Sequence, residues 1–225
     1  GTIVFLNGRD QQGNISKLVA IDTDISKLKD SETEILQQKE EIAGQRDEIE
    51  KQRDEANKQR KKVTDSILYA QKIQDALLPP NEVIASAFDE HFIIFRPRDI
   101  VSGDFYWFRK IKQNGRTYYL IAVADCTGHG IPGAFLSILG ITSLNTIVTR
   151  MGITESQKIL DELRVMVIRS LSKYNSDAGM FDGMDISLCV YNTKDKYLEY
   201  SGAYNPIYLF RNKSLIKLNT DHMPI

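Results

Sequence analysis

Residues 120–135 read LIAVADCTGHGIPGAF, and the identity of the fold turns on this stretch. An apolar strand ends at Asp125, and Gly128, Gly130 and Gly133 follow before the chain turns helical. An aspartate at the end of a buried strand is costly unless a cation or several donors match its charge. The glycines let the backbone turn with positive φ and come close to a ligand, and the helix start behind them offers free N–H groups. A second stretch, RPRDIVSGDFYWF at residues 96–108, repeats the arrangement: Asp104 follows Ser102 and Gly103 and opens an aromatic strand. Hard carboxylate oxygens at two such turns point to Mg²⁺ or Mn²⁺. Taken singly, Asp104 also reads as a turn carboxylate at a strand start, and Asp125 as a helix cap or Asx turn.

Working outward, the chain after Pro79-Pro80 alternates short apolar strands with turns, at residues 92–95, 104–112, 117–124, 186–191, 197–201 and 207–210. Two helices interrupt them. Residues 132–149 carry Pro132 in the first turn and Phe135, Leu136, Leu139 and Leu144 on one broad face; residues 156–171 carry Ile159, Leu160, Leu163, Val167 and Leu171. A hairpin signal at residues 192–196 favours antiparallel pairing. Strands, then helices, then strands predict an α+β fold of antiparallel sheets covered by helices.

Upstream the texture is different. Residues 24–62 hold 11 acidic and 10 basic side chains and a single glycine, Gly44, too little apolar surface for a private core. Leu28, Ile35, Ile42, Ile49, Ala56, Val63, Ala70 and Leu77 recur every seventh position, with Gln38, Gln45, Gln52 and Gln59 three places after four of them. This heptad predicts a parallel two-stranded coiled coil, a rod of roughly 75 Å that makes the protein a homodimer; a lone salt-bridged helix or a linker is the other reading. Ahead of it, residues 15–25 read as a strand and residues 2–6 as its partner, with a turn at Gly13-Asn14.

Composition bounds the function. Over 225 residues, 29 Lys and Arg oppose 30 Asp and Glu, a formal charge of −1, so no global positive field exists to hold nucleic acid or an anionic membrane. No apolar run is expected to reach the roughly 18 residues of a membrane span, and the amino end lacks a signal peptide. The protein therefore reads as cytoplasmic. Cys126 and Cys189 are too few for a disulfide framework and form no CxxC pair, so they read as reduced, buried thiols.

The passages DIVSGDFYWF and VADCTGHGIPGAFLS, preceded by ILYAQKIQDALLPP and followed by FDGMDISLCVYN and LEYSGAYNPIYLFR, resemble the SpoIIE-type branch of the metal-dependent, protein phosphatase 2C-type serine/threonine phosphatases, over residues 66–225. The resemblance implies two stacked antiparallel sheets flanked by helices, with two Mn²⁺ or Mg²⁺ ions between the sheets. It implies Asp125 as the carboxylate bridging both metals, Asp104 as a second carboxylate ligand, and Cys126 as a ligand through its backbone carbonyl alone. His129 would bind substrate or aid the leaving group. Asp185 alternates with the core-facing Ile186, Leu188 and Val190 and so belongs to the opposite face. Two further metal-binding aspartates of the family, in an S-D-G turn and a D-D stretch, have no counterpart here, so the phosphatase domain is expected to be incomplete at its carboxyl end and this piece inactive by itself.

RDQQGNISKLVAIDTDISKLK at residues 9–29 resembles the closing hairpin of a PAS sensor domain. The expected organisation is the end of a PAS-like domain over residues 1–23, a coiled-coil signalling helix over 24–78, and a phosphatase domain over 79–225. Residues 67–78 would be the switch, docking through Ile67, Ile73, Leu77 and Leu78. The function implied is hydrolysis of phosphoserine or phosphothreonine on an anti-anti-sigma-type partner, regulated through the coiled coil. Two alternatives are a non-catalytic dimeric scaffold or pseudophosphatase and, from DIVSGDF, a class III nucleotide cyclase, which the GHG turn and the GAYNP strand do not fit. No helix carries a histidine suited to phosphorelay.

Overall fold

A computed structural model describes residues 2–172, 183–220, 222, 223 and 225. Its contacts divide the chain into two units, Gly1–Lys62 and Val63–Ile225.

In the first unit, β1 (Thr2–Arg9) and β2 (Ile15–Thr23) form an antiparallel hairpin. Asp10 shapes its turn by accepting N–H bonds from Gln12 and Asn14, each at 2.9 Å, and Gly13 supplies the positive φ of 85°. Asp24 then accepts from the Ser26 N–H at 2.9 Å, where the 52-residue helix α1 (Ser26–Leu77) begins. Along this part of α1 the heptad row is exposed: Ile35, Ile42 and Ile49 are 52%, 55% and 64% accessible. Gln45 and Gln52 of the second row donate to Glu41 and Glu48 one turn earlier, at 3.3 and 2.9 Å.

The second unit contains the last turns of α1, which Pro79-Pro80 terminate, and the short α2 (Asn81–Ala85). Next come β3 (Phe105–Gln113), β4 (Arg116–Cys126), α3 (Ile131–Asn145) with a π-helical turn at Thr146–Arg150, and α4 (Ser156–Leu171). They are followed by β5 (Met184–Asn192), β6 (Tyr197–Ala203), β7 (Ile207–Arg211) and β8 (Ser214–Leu218). Strands β3-β4-β5-β6 make one antiparallel four-stranded sheet in that order, and β7-β8 a separate hairpin. The architecture is α+β, as the pattern of elements predicts.

Period-two alternation assigns the faces of the sheet. Phe105, Trp107, Leu120, Ala122, Ala124, Met184, Ile186 and Leu188 are buried on one face in a single core with Ile141, Leu144, Ile159 and Leu163 of α3 and α4. Trp107 closes this core with its indole N–H on Asn145 Oδ1 at 2.9 Å. Gly140 allows α3 to lie directly on the sheet: a methyl group there would sit 2.9 Å from the Phe105 ring and 3.1 Å from Met184 Cε.

Several expectations change. Residues 92–95 form no strand; Phe92 and Ile94 are 86% and 75% exposed, and among the described residues no strand pairs with them to satisfy their backbone. The hairpin strand β8 was not foreseen, its run SLIKL being short and half polar. Ile131–Arg150 is long and apolar enough to cross a membrane by length and composition, contrary to expectation, and 56% of it is buried inside the fold. At the end of α1, Leu77 and the following Leu78 pack against the core, but Ile73 is 46% exposed and its neighbour Gln74 is the buried residue. One helical step of about 100° separates the two.

Gly140→Ala is expected to destabilise this unit by about 1–3 kcal/mol through overpacking, read as a lowered urea midpoint. Gly44→Ala, where no atom lies within 4 Å, is expected to stabilise α1 by about 0.5–1 kcal/mol, read as increased helicity.

Candidate functional site

The face of the sheet turned away from α3 and α4 carries the acidic residues. On β4, Asp125 continues the row of Tyr119, Ile121 and Val123, while Cys126 continues the buried row of Ala122 and Ala124. Register does the rest. Phe105 pairs with Ala124, so Asp104 stands one residue beyond, beside Asp125; Asp125 itself pairs with Asp185 of β5. Asp104, Asp125 and Asp185 thus end three adjacent strands abreast, with Asp185 on the face of Asp125. Like charges directly opposite in a sheet repel, and none of the three has an ion-pair partner among the described residues.

Desolvation and a hydrogen bond to Asp125 hold the Asp104 carboxyl above its usual range, with the Asp125 charge adding to this. Asp185 is raised by desolvation and by the Asp125 charge. The glycines form a cradle behind them. A methyl group on Gly103 would lie 3.0 Å from the Gly128 carbonyl oxygen and 3.2 Å from that of Cys126, and one on Gly133 would lie 2.6 Å from the Gly128 oxygen. Gly128 and Gly130 take φ of 83° and 65° to make this turn. Two carboxylates set side by side by the β3–β4 register, with the carbonyl oxygens of Cys126 and Gly128 close to Gly103, are an all-oxygen donor set that suits a hard divalent cation. The set is partial, since among the described residues no group of three or more His, Cys, Asp or Glu side chains could by itself hold a metal ion.

Cys126 is buried, on the core side of β4. Its thiol is buried and pushed up to about 12, chiefly by desolvation, and that of Cys189 to about 11 by the same cause; neither is a nucleophile near neutral pH. His129 does not contact the acids. Its Nδ1 lies 3.1 Å from Asp99 Oδ2, and the imidazole is largely exposed. Beside the acids opens a cleft of about 600 Å³, walled by Phe88, Phe95, Tyr106 and Val123 and ending at Asp104, Asp125 and Asn205. Of the FDGMDISLCVYN passage, Phe181 and Asp182 lie outside the described residues.

Sequence reasoning missed Gln74. Its amide donates to the Ser102 carbonyl and to Ser137 Oγ, each at 2.6 Å, and accepts from the Ser102 N–H at 3.0 Å. It ties α1 to the loop that precedes Asp104 and to α3, behind the glycine turn. The available signal was a polar residue at core spacing between Ile67, Ala70 and Leu77.

The electrostatics have a measurable sign. Without metal, Asp104 and Asp185 keep their protons to higher pH folded than unfolded, so the folded state binds more protons above the usual carboxylate value of 3.8. Stability is therefore expected to fall as pH rises through that value and the raised ones. Thermal melts in chelator across this range should show the fall, and Asp104→Asn should flatten it.

The chain is similar to known proteins in sequence and in fold. The family of stage II sporulation protein E (SpoIIE) matches residues 115–225. The SiaA-PP2C domain of Pseudomonas aeruginosa is 31% identical, with a TM-score of 0.61, over 74% of this chain and 63% of that one; the present chain thus spans less than two thirds of that structure's length. The PP2C phosphatase domain with a regulatory fragment of the cell fate determinant SpoIIE from Bacillus subtilis is 23% identical, with a TM-score of 0.41, over 56% of this chain and 33% of that one. No curated protein matches the chain. Residues 115–225 thus match the SpoIIE family, and the fold of the second unit is similar to that of a PP2C phosphatase domain.

Proposed function

We propose that the protein is a cytoplasmic signalling phosphatase that hydrolyses phosphoserine or phosphothreonine on a partner protein of the anti-anti-sigma type. The observation that carries this reading is the Asp104–Asp125 pair, set side by side by the β3–β4 register next to the glycine turn of Gly103, Gly128 and Gly133, within a PP2C-type fold. Asp104, Asp125 and the Cys126 carbonyl would hold a pair of Mn²⁺ or Mg²⁺ ions. Such ions lower the pKa of a water near neutral pH and neutralise phosphoryl oxygens during in-line displacement. The protein's own share is placement. Asp104 and Asp125 would supply the carboxylate oxygens, the glycine turn would keep side chains clear of the phosphoryl group, and Asp99 holds the His129 ring through Nδ1.

Regulation is assigned to α1. The exposed heptad row over its first unit supports a parallel homodimer, and Gln74, Leu77 and Leu78 offer the route by which a shift of that helix reaches the loop before Asp104. A second reading, a pseudophosphatase that binds a phosphoprotein without turnover, is favoured by the partial ligand set.

Two experiments separate these readings. Mn²⁺-dependent phosphate release from a phosphoserine protein should fall in Asp125→Asn by at least the roughly tenfold to hundredfold that even outer-sphere changes at metal sites cost, while Cys126→Ala keeps turnover; a wild-type protein that binds Mn²⁺ but releases no phosphate would support the pseudophosphatase. Ile42→Cys and Ile49→Cys should each give disulfide-linked dimers on mild oxidation, and failure of both would remove the coiled-coil homodimer.

A further inference from the structure

The GAYNP passage at the β6–β7 corner is held more firmly than a connection between two strands requires. Tyr204 adopts a φ of 58°, a left-handed conformation that a bulky residue keeps only where its surroundings impose it. The surroundings are specific. The Asn205 carbonyl accepts from both Ser187 Oγ and the Tyr200 hydroxyl, each at 2.7 Å, and the Asn205 N–H donates to the Ala203 carbonyl at 2.7 Å. Gly202 makes room for this: a methyl group there would collide with the Tyr200 hydroxyl and lie 2.9 Å from the Asn205 oxygen. Ser187 pairs with Gly202, and Cys189 with Tyr200, so by alternation the locking groups lie on the face that carries Asp125 and Asp185. The corner folds back over that face, and Asn205 joins Asp104 and Asp125 in lining one end of the cleft.

Its side chain is also fixed. Asn205 Nδ2 donates to the backbone carbonyl of Asp185, the residue paired with Asp125, at 3.3 Å. An amide nitrogen has two hydrogens, so one remains for another acceptor. The chemistry of the neighbourhood restricts what that acceptor is. A lysine or arginine here would pair with the carboxylates and compete with a cation for them; an acid would repel a phosphoryl group. A neutral donor avoids both.

We propose that Asn205 contacts the phosphoryl group of a phosphomonoester substrate, with Ser187 and Tyr200 as positioning residues that act through its backbone. This rests on the phosphatase reading above and adds to it a substrate contact drawn from neither aspartate turn.

The test uses the intact, Mn²⁺-loaded protein and three readouts: Mn²⁺ affinity by electron paramagnetic resonance, inorganic phosphate binding by calorimetry, and kcat/KM on a phosphoserine peptide. Loss of a hydrogen bond to a charged group is expected to weaken phosphate binding and lower kcat/KM in Asn205→Ala by about tenfold to a hundredfold, with Mn²⁺ affinity unchanged. Asn205→Asp should lose more, and Tyr200→Phe, which keeps the Ser187 bond, should lose less in the same direction with its melting temperature retained. Phosphate affinity in Asn205→Ala within twofold of the unmodified protein overturns the inference, as does a loss matched by an equal loss of Mn²⁺ affinity. If the unmodified protein turns over normally and Asn205→Ala equals it, only this inference falls; if neither Mn²⁺ nor phosphate binds the unmodified protein, the phosphatase reading falls with it.

Discussion

The register of three antiparallel strands governs the chemistry of this protein. Because side chains alternate with a period of two, a slip of one residue between β3 and β4 or between β4 and β5 would carry an aspartate beneath α3 and bring an apolar side chain out in its place. Pairing of Phe105 with Ala124 and of Asp125 with Asp185 instead sets the carboxylates side by side at one end of the outer face. Burial of Phe105, Ala124, Met184 and Ile186 on the inner face secures that register. The crowding of the acids is therefore sustained by hydrophobic packing on the far side of the same strands.

Close backbone approach is the second requirement. Gly103, Gly128 and Gly133 meet where the loop before β3, the turn after β4 and the first turn of α3 converge, and a side chain at Gly103 or Gly133 would crowd the Gly128 carbonyl oxygen. Gln74 locks this convergence from behind, satisfying the backbone of Ser102 two residues before Asp104. A buried amide with three partners is costly to strip of any of them. The carboxyl-terminal turns of α1 are thereby joined by hydrogen bonds to the segment that carries one of the two principal acids.

Much of this was legible in the sequence, and the illegible parts share a cause. Alternation located β3 to β7 to within a residue or two, and the two aspartate-glycine turns marked Asp104 and Asp125, because these signals are local. Asp185 was assigned correctly to the face away from the core, yet that this is also the face of Asp125 depends on a pairing 60 residues apart in the chain. Gln74 looked like one more polar residue on a charged helix; its burial is created by Ser102 and Ser137, 28 and 63 residues away. Residues 92–95 have the composition of a strand, but a strand exists only where a ladder receives it. Asn205 was visible only as part of a motif, its place near the acids being decided by the fold of a corner.

The molecule also contains its own optical probe. Trp107 is the sole tryptophan of the sequence, 1% exposed, sealed between β3 and α3 and bonded to Asn145, with the Arg109 guanidinium 6.0 Å from its ring centre. An indole in so dry a setting emits at shorter wavelength than one in water, and its emission shifts when the helix layer lifts from the sheet. Every photon it returns comes from the second unit. Melting confined to residues of the first unit changes no neighbour of that indole, so far-ultraviolet dichroism and indole emission, recorded on one sample, divide the stability of the amino-terminal unit from that of the second without any label.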